Sequence, residues 1–187
     1  MDPDEDLLAR SAREPTAFEP LVARHSPALH GYLVRRAPAA ADDLLSEVWL
    51  QAYAHRATFD AARGSARGWL FGVARTVLSR HRQTTARAAA RSGQQPDAAT
   101  ADPWQAVDQR LDAASVAPEL RRRLAELPAS EREVLLLVAW EQLTPAEAAA
   151  AVGIPAGTAR SRLHRARARL RDGLAGPART TLTGDFA

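Results

Sequence analysis

The residues best suited to binding chemistry form an arginine-rich segment near the end of the chain. Ala159, Leu163, Ala166 and Leu170 recur there at helical spacing, which predicts a helix with one continuous apolar stripe. The polar residues that face away from the stripe include no acid; they are Arg160, Ser161, His164, Arg165 and Arg167. A helix that is merely solvated normally mixes glutamate among its arginines. Because arginine can bridge the O6 and N7 atoms of guanine, this face suits the major groove of duplex DNA.

A second basic segment, from Arg63 to Arg82, interleaves aromatic residues with arginine. Rings that stack on bases, together with guanidinium groups that bind phosphates, are what a single-stranded nucleic-acid site requires. A packed helix is the alternative, because Trp69 and Phe71 point to different sides of a helix and at most one of them can be exposed. Trp69 falls on the predicted apolar stripe of Trp69, Leu70, Val73, Val77 and His81. This segment alone does not decide between the two interpretations.

The charge is distributed in alternating blocks. All 25 basic residues are arginine, and the formal net charge of the chain is only +3. Residues 1–60 carry a net charge of −4, residues 61–96 carry +7, residues 97–153 carry −5 and residues 154–187 carry +5. Two basic blocks, each preceded by an acidic one, indicate a protein that binds a polyanion at two places.

The elements that must position these residues are predicted to be helices. Alanine, leucine, arginine and glutamate dominate, and no alternating strand pattern persists. The fold class is therefore all-α, with two helical domains joined by a flexible linker and a helix-turn-helix as the second domain. The predicted helices run from Thr16 towards Pro38 with an interruption at Pro27, from Ala41, from Ser65 to Ala90, from Trp104 to Leu127, through Val134–Trp140, over 144–152, and from Pro155 to Leu174.

Local signals fix the boundaries of these elements. Thr16, Ser130 and Thr144 each precede a glutamate by three residues, the pattern of a capping box, and Gly153 suits a left-handed helix C-cap. The tight connection at Gly153 between two short helices has the spacing of a helix-turn-helix. The polar, proline-containing stretch that begins at Ser92 predicts a flexible boundary. The predicted division is a first domain over 1–91, a linker over 92–115, a second domain over 116–174 and a tail over 175–187.

The sequence lacks the features that several classes of function require. It has no cysteine, its five histidines show no metal-ligand spacing, and it contains no phosphate-binding glycine loop or nucleophile motif. We therefore expect no enzyme activity, no metal and no cofactor. The acidic start differs from a secretory leader, and no apolar run is long enough to span a membrane. We expect a cytoplasmic protein without membrane insertion.

Three stretches together resemble an extracytoplasmic-function (ECF) sigma factor of bacterial RNA polymerase. The stretch from Ala41 to Tyr53 is similar to the polymerase-binding helix of that family, and the stretch from Gly64 to Arg75 is similar to its promoter-melting segment. The stretches Leu127–Leu137 and Gly157–Arg167 are similar to its reader of the upstream promoter element. In order and spacing the resemblance covers about residues 6–174.

The resemblance implies a role for each of these stretches. The residues expected to bind polymerase are Asp42, Asp43, Leu45, Ser46, Glu47 and Leu50. Those expected to bind the melted minus-ten element, around a flipped-out base, are Phe59, Arg63, Ser65, Arg67, Arg75, Thr76 and Arg80. Those expected to bind the minus-thirty-five element are Thr158, Arg160, Ser161, Arg162, His164, Arg165 and Arg167. Core RNA polymerase and promoter DNA, both duplex and melted, are the implied partners, and an anti-sigma factor is a further candidate.

The sequence departs from the family pattern in a few places and leaves one alternative open. Thr76 stands where asparagine is frequent, Ser46 where glutamine is common and Ala159 where valine is usual. The run Ala148–Ala151 predicts a thinly packed helix in the second domain. The alternative function is a free-standing helix-turn-helix repressor, which would bind a palindrome as a dimer and leave the first domain without a role.

Overall fold

The computed structural model describes residues 2–91 and 117–174. Within these ranges the backbone forms eight α-helices, short 3-10 segments and turns, with no strand, so the all-α prediction is confirmed. The helices are α1 (Asp4–Ser11), α2 (Glu19–Val34), α3 (Ala41–His55), α4 (Ala66–Arg91), α5 (Ala117–Glu126), α6 (Ala129–Ala139), α7 (Pro145–Val152) and α8 (Ala156–Leu174). The predicted linker, tail and beginning of the helix from Trp104 lie outside the described residues.

Helices α1–α4 form the N-terminal bundle, whose core is mainly aliphatic and includes the buried rings of Phe18, Tyr32 and Phe71. Helix α3 packs between α2 and α4, and α1 closes the end of the bundle. The side chains of Leu21, Leu33, Val48 and Leu70 are fully buried together with Phe71. Burial of apolar surface on this scale is the main force that holds short helices together, since isolated helices of this length are marginal in water.

Three details of the predicted α2 helix are wrong. Thr16 does not form a capping box, because it lies inside a 3-10 turn over Pro15–Phe18 and α2 begins at Glu19 without a side-chain cap. The helix also ends at Val34, before Pro38, and it continues through Pro27 without a break. Residues on both sides of Pro27, His25 and Leu29, are buried, so packing outweighs the loss of one backbone hydrogen bond.

The predicted apolar stripe of α4 is displaced by about one residue. Leu70 and Val77 are buried as expected, but Phe71 is the buried ring, whereas Trp69 is only half-buried. The ring of Trp69 lies edge-on against Phe59, with 5.9 Å between the centroids. The α4 helix therefore places one of its two rings outside the core, beside the loop that precedes it.

Helices α5–α8 form the C-terminal bundle, in which α7 and α8 make the predicted helix-turn-helix. Thr144 and Glu147 form a capping box at the start of α7, and Gly153 ends that helix with a φ of 75°, in the left-handed region. The capping box predicted at Ser130 is absent, because α6 begins at Ala129, directly after Pro128. The α6 helix buries Val134 and the three leucines that follow it.

Candidate nucleic-acid interface

The arginine-rich face of α8 is presented to solvent. Ala159, Leu163 and Ala166 are buried against the rest of the C-terminal bundle, so the predicted stripe is confirmed. We call the residues opposite it the reader face: Thr158, Arg160, Ser161, Arg162, His164, Arg165 and Arg167. Thr158 and Arg162 are half-buried and the other five are exposed. Within the described residues α8 has no acid before Asp172, so nothing on the helix itself neutralises this face.

One member of the reader face is held by a residue that the sequence did not single out. The Nε of Arg165 donates to Oε1 of Glu131 at 2.9 Å, and Arg169 binds the other carboxylate oxygen. Glu131, near the start of α6, is only 5% exposed. This carboxylate therefore fixes the direction in which Arg165 leaves the helix. The sequence contains one indication of this contact. Arg165 and Arg169 are four residues apart and therefore lie on adjacent turns of the same helix face.

The turn that orients the reader helix is supported by Glu147. Burial raises the pKa of this carboxyl, but hydrogen bonds from Thr144 and Ser65 outweigh it, so the pKa lies below its ordinary value. The Glu147 carboxylate accepts from the Thr144 backbone N–H at 2.8 Å and from the Ser65 hydroxyl at 3.1 Å. The capping box thus also connects the two bundles.

The residues predicted to bind the melted strand lie in the loop before α4 and on α4 itself. This basic-aromatic face comprises Phe59, Arg63, Ser65, Arg67, Arg75, Thr76 and Arg80. Arg63, Thr76 and Arg80 are exposed, and Phe59 is half-buried against Trp69. Phe59 and Trp69 line a cavity of about 710 Å³ whose opposite wall includes Gly153 and Pro155 of the helix-turn-helix.

Three residues of the basic-aromatic face are occupied by the C-terminal bundle. Arg67 donates to the backbone carbonyls of Glu141, at 2.7 Å, and Gln142, at 3.1 Å. The Nε of Arg75 donates to Glu133 at 2.5 Å. Ser65 accepts from the Gly68 N–H at the start of α4 and donates to Glu147. The partners in the C-terminal bundle lie 58 to 82 residues away along the chain.

Helix α3 presents a face that is both acidic and apolar. This acidic-apolar face comprises the predicted polymerase-binding residues Asp42, Asp43, Leu45, Ser46, Glu47 and Leu50. Leu50 is 65% exposed, whereas Leu45 is half-buried against the core. Asp42 pairs with His30 at 3.0 Å, and Glu47 accepts from Gln51 at 2.7 Å. Tyr53, the end of the predicted polymerase-binding stretch, is 37% exposed and packs its ring edge-on against Phe18.

The described residues contain no other evident chemical site. No group of three or more histidine, aspartate or glutamate side chains within them is placed to hold a metal ion. None of the described helices has the length and apolarity needed to cross a membrane. The candidate binding residues therefore lie on the reader face, the basic-aromatic face and the acidic-apolar face.

Two family models match the chain, one in each bundle. The model described as "Sigma-70 region 2" matches residues 21–88, and the model described as "Sigma-70, region 4" matches residues 118–170. The first range contains the acidic-apolar and basic-aromatic faces, and the second contains the reader face.

Curated relatives agree with these matches. The chain is 36% identical over 129 residues to the probable RNA polymerase sigma-C factor of Mycobacterium bovis, covering 68% of this chain and 66% of that protein, just under two thirds of its length. It is 30% identical over 174 residues to the ECF RNA polymerase sigma factor RpoE of Cereibacter sphaeroides, covering 87% of this chain and 88% of that protein. It is 33% identical over 169 residues to the ECF RNA polymerase sigma factor SigM of Mycobacterium tuberculosis, covering 88% of this chain and 80% of that protein.

Solved structures share the fold. CnrH, solved in complex with the cytosolic domain of CnrY, aligns with a TM-score of 0.63 and 26% identity over 95% of this chain and 100% of that chain. The sigma factor RpoE from Bartonella quintana, solved with the anti-sigma factor NepR, aligns with a TM-score of 0.57 and 22% identity over 85% and 97%. Each of the two helical bundles matches a sigma-70 family model, and the curated relatives cover most of the chain. The chain therefore belongs to the ECF RNA polymerase sigma factors.

Proposed function

We propose that the chain binds core RNA polymerase and directs it to promoters that carry a minus-thirty-five and a minus-ten element. The observation that carries this proposal is the exposed, acid-free reader face on a helix-turn-helix whose turn is fixed by the Thr144 cap and Gly153. An outward row of arginines on a recognition helix can bind guanine edges in the major groove and phosphates beside it. We assign Arg160, Ser161, His164 and Arg165 to bases, and Thr158, Arg162 and Arg167 to the backbone.

The acidic-apolar face of α3 supports polymerase as the protein partner. Phosphates repel an acidic surface, so this face is unsuited to DNA and suits a protein with complementary charge. Leu50 supplies exposed apolar area at the centre of the face, which is the usual composition of a protein interface. The alternative function, a free-standing repressor, gives this face no role.

The basic-aromatic face supports binding of the melted minus-ten strand. Phe59, Arg63 and Trp69 line a cavity that can take a base turned out of the strand, and Arg80 is exposed further along α4 for a phosphate. We assign Ser65, Arg67, Arg75 and Thr76 to the same strand. In this proposal residues 1–91 form the domain that binds polymerase and the minus-ten element. Residues 92–115 link it to the minus-thirty-five reader over 116–174.

The chain supplies binding and positioning, and the polymerase supplies the chemistry of RNA synthesis. We therefore propose that it is no enzyme and acts in the cytoplasm, where the chromosome and polymerase are. We also propose an anti-sigma factor as a further partner, since CnrH and the Bartonella RpoE were each solved with a second protein.

Selection of DNA by the assembled complex tests this function. The chain is mixed with core polymerase, and duplexes are recovered from a random-sequence pool by the chain alone and by the complex. The proposal expects two conserved blocks at a fixed spacing in the duplexes recovered by the complex. Recovery of a single palindromic block by the chain alone, with no association with polymerase, would favour the repressor instead.

A further inference from the structure

Helix α1 contributes no residue to the three candidate binding faces. It also lies before residues 21–88, the range that the sigma-70 region 2 model matches. Its leucines, Leu7 and Leu8, are buried in the N-terminal bundle, so the helix is part of the core. It packs on α2, on α4 and on the 3-10 turn Arg56–Thr58 that follows α3. Helix α1 therefore lies beside both ends of the segment that joins α3 to α4.

This segment, residues 56–65, forms one wall of the cavity proposed for the flipped base, and we call it the pocket loop. The pocket-loop residues that line the cavity are Thr58, Phe59, Asp60, Arg63, Gly64 and Ser65. Two of its hydrogen bonds are local: the Thr58 hydroxyl donates to the His55 carbonyl at 2.7 Å, and the Asp60 carboxylate accepts from the Ala62 N–H at 2.9 Å. Local bonds of this kind shape a turn. They do not fix it against the rest of the protein, so the position of the pocket loop depends on how its two ends are held.

Helix α1 holds the beginning of the pocket loop through Arg56. The Nε of Arg56 donates to the backbone carbonyl of Ser11 at 3.0 Å. Ser11 is the last residue of α1 and is fully buried. The carbonyls of the last helical turn have no partner within the helix, so Arg56 satisfies one of them. The same guanidinium lies over the Tyr53 ring, 3.9 Å from its centroid, and thereby joins α1 to the end of α3.

Helix α1 holds the other end of the pocket loop through Glu5. The Oε1 of Glu5 accepts from the backbone N–H of Ala66, the first residue of α4, at 3.0 Å. The Ser65 hydroxyl accepts from the Gly68 N–H at 3.1 Å, as an N-cap does. In a capping box the third helical residue adds a carboxylate, but here that residue is Gly68, which has no side chain. Glu5 supplies a carboxylate from α1 instead, at a helix end that favours negative charge.

The neighbouring carboxylate, Asp4, keeps α1 in place. It pairs with Arg24 at 2.6 Å and with His25 at 2.7 Å, both on α2. Burial raises the pKa of Asp4, but the hydrogen bonds with Arg24 and His25 outweigh it, so the pKa lies below its ordinary value. Two adjacent acids thus have different tasks: Asp4 fixes α1 to α2, and Glu5 fixes the beginning of α4 to α1.

We propose that Glu5 is a positioning residue for recognition of the minus-ten element, because its bond to the Ala66 N–H holds the pocket loop where it receives the flipped base. This inference rests on the proposed function of Phe59 and Arg63. Binding groups must be held within about 0.5 Å of their productive geometry. A pocket loop held at one end only would therefore lose selectivity for that base. Glu5 acts through the loop and touches neither the base nor its phosphates.

The first test compares base preferences among complexes of core polymerase with the wild type and three variants. Glu5→Ala removes the acceptor, whereas Glu5→Gln keeps a carbonyl oxygen that can accept from Ala66. Asp6→Ala removes an exposed acid of α1 and is the charge-matched control for Glu5→Ala. Each complex recovers duplexes from the random-sequence pool. Glu5→Ala should lower the preference at one minus-ten position at least fivefold and leave the minus-thirty-five block and co-elution with polymerase unchanged. Glu5→Gln and Asp6→Ala should stay within twofold of the wild type.

Three results of this comparison would overturn the proposal. They are an unchanged minus-ten preference in Glu5→Ala, an equal loss in both blocks, which indicates general damage to the fold, and failure of Glu5→Gln to restore the preference. If the wild-type complex recovered no minus-ten block, the proposed function itself would fail.

The second test needs neither polymerase nor DNA and therefore separates the two failures. Amide hydrogen exchange is measured on the free full-length chain. Glu5→Ala should exchange the Ala66 N–H and the pocket loop at least tenfold faster than Asp6→Ala does. Equal exchange rates in the two variants would show that α1 does not hold the loop through Glu5 and would overturn the proposal.

Discussion

At the scale of single residues, Glu131 determines how Arg165 is presented on the reader face. The Glu131 carboxylate is almost fully buried and holds both Arg165 and Arg169. A long arginine side chain loses much rotational freedom when it binds a base, and a fixed carboxylate removes part of that loss in advance. We infer that Glu131 is a positioning residue for Arg165, and that its contribution to DNA binding acts through that arginine.

Replacing Arg165 by alanine tests its assignment to a base. We expect Arg165→Ala to weaken binding of the minus-thirty-five duplex by about 1–3 kcal/mol and to relax the preference at one base pair. The matched control is Arg171→Ala, which removes the same charge from an exposed position of α8 outside the reader face. Binding to a panel of single-base variants of the duplex measures both effects. An equal loss on every sequence would make Arg165 a phosphate contact.

Glu147 gives the stability of the chain a predictable dependence on pH. Its folded-state pKa lies below the ordinary value of 4.5, because hydrogen bonds from Thr144 and Ser65 outweigh the effect of burial. The resulting stabilisation is present above pH 4.5 and is lost as the pH falls through the lowered folded-state pKa. We expect urea unfolding of Glu147→Gln to show a smaller loss of stability over this acidic range than the wild type. Parallel pH profiles would contradict the role of the carboxylate.

At the scale of elements, α3 has buried residues that pack the bundle and exposed residues that we propose to bind polymerase. Leu44, Val48 and Ala52 are buried and hold the N-terminal bundle together, whereas Leu50 faces solvent. Leu45 belongs to both sets, since it is half-buried against the core. Leu50 is therefore a cleaner test of polymerase binding than Leu45, because its replacement removes little packing.

Leu50→Asp is expected to reduce binding of core polymerase at least tenfold and to leave the fold intact. The change places a charge in the middle of a desolvated interface, where it cannot be solvated or paired. Ala23→Asp adds the same charge at an exposed position of α2 and serves as the control. Co-elution with polymerase on gel filtration measures binding, and circular dichroism measures the fold. Unchanged co-elution of Leu50→Asp would remove α3 from the interface.

The sequence predicted elements well where their signals were local. Thr144, Pro145, Glu147 and Gly153 specify the beginning and end of α7 within ten residues, and all four act as predicted. The same pattern failed at Ser130, where Pro128 takes the cap position two residues earlier and the Glu133 side chain binds Arg75 of the other bundle. The Glu147 carboxylate also has a distant partner, Ser65, yet it keeps its bond to the Thr144 backbone. The spacing of a capping box therefore predicts a cap only where the helix begins directly after the serine or threonine.

At the scale of the whole molecule, the alternating charge of the sequence has a second consequence. The blocks of +7 and −5 that suggested a polyanion partner also attract each other within the chain. Across the two bundles, Arg75 of the basic block pairs with Glu133 of the acidic one. The sequence predicts Arg67 and Arg75 as binding residues, but their partners in the structure lie 58 to 75 residues away and leave no local pattern. The sequence thus predicts that oppositely charged blocks attract each other, but it does not predict which residues form the contacts.

The ion pairs between the two bundles should couple their unfolding. Because Glu141 and Glu133 join the bundles, we expect the wild-type chain to unfold in urea in one transition, since neither bundle can open without breaking these pairs. Glu133→Gln/Glu141→Gln should unfold in two transitions, one for each bundle. The control Glu119→Gln/Glu126→Gln removes two carboxylates whose partners, Arg122 and Arg123, lie on α5 itself, and it should retain one transition. Two transitions already in the wild type would contradict coupling through these ion pairs.

Run-off transcription tests the central claim most directly. Purified core polymerase is incubated with a library of genomic fragments, with and without this protein, and the transcript starts are mapped. We expect discrete new starts only in the presence of the chain, with upstream sequences that align into a minus-ten and a minus-thirty-five element. Arg165→Ala should shift or weaken the second element alone. Identical transcripts with and without the chain would contradict its function as a sigma factor.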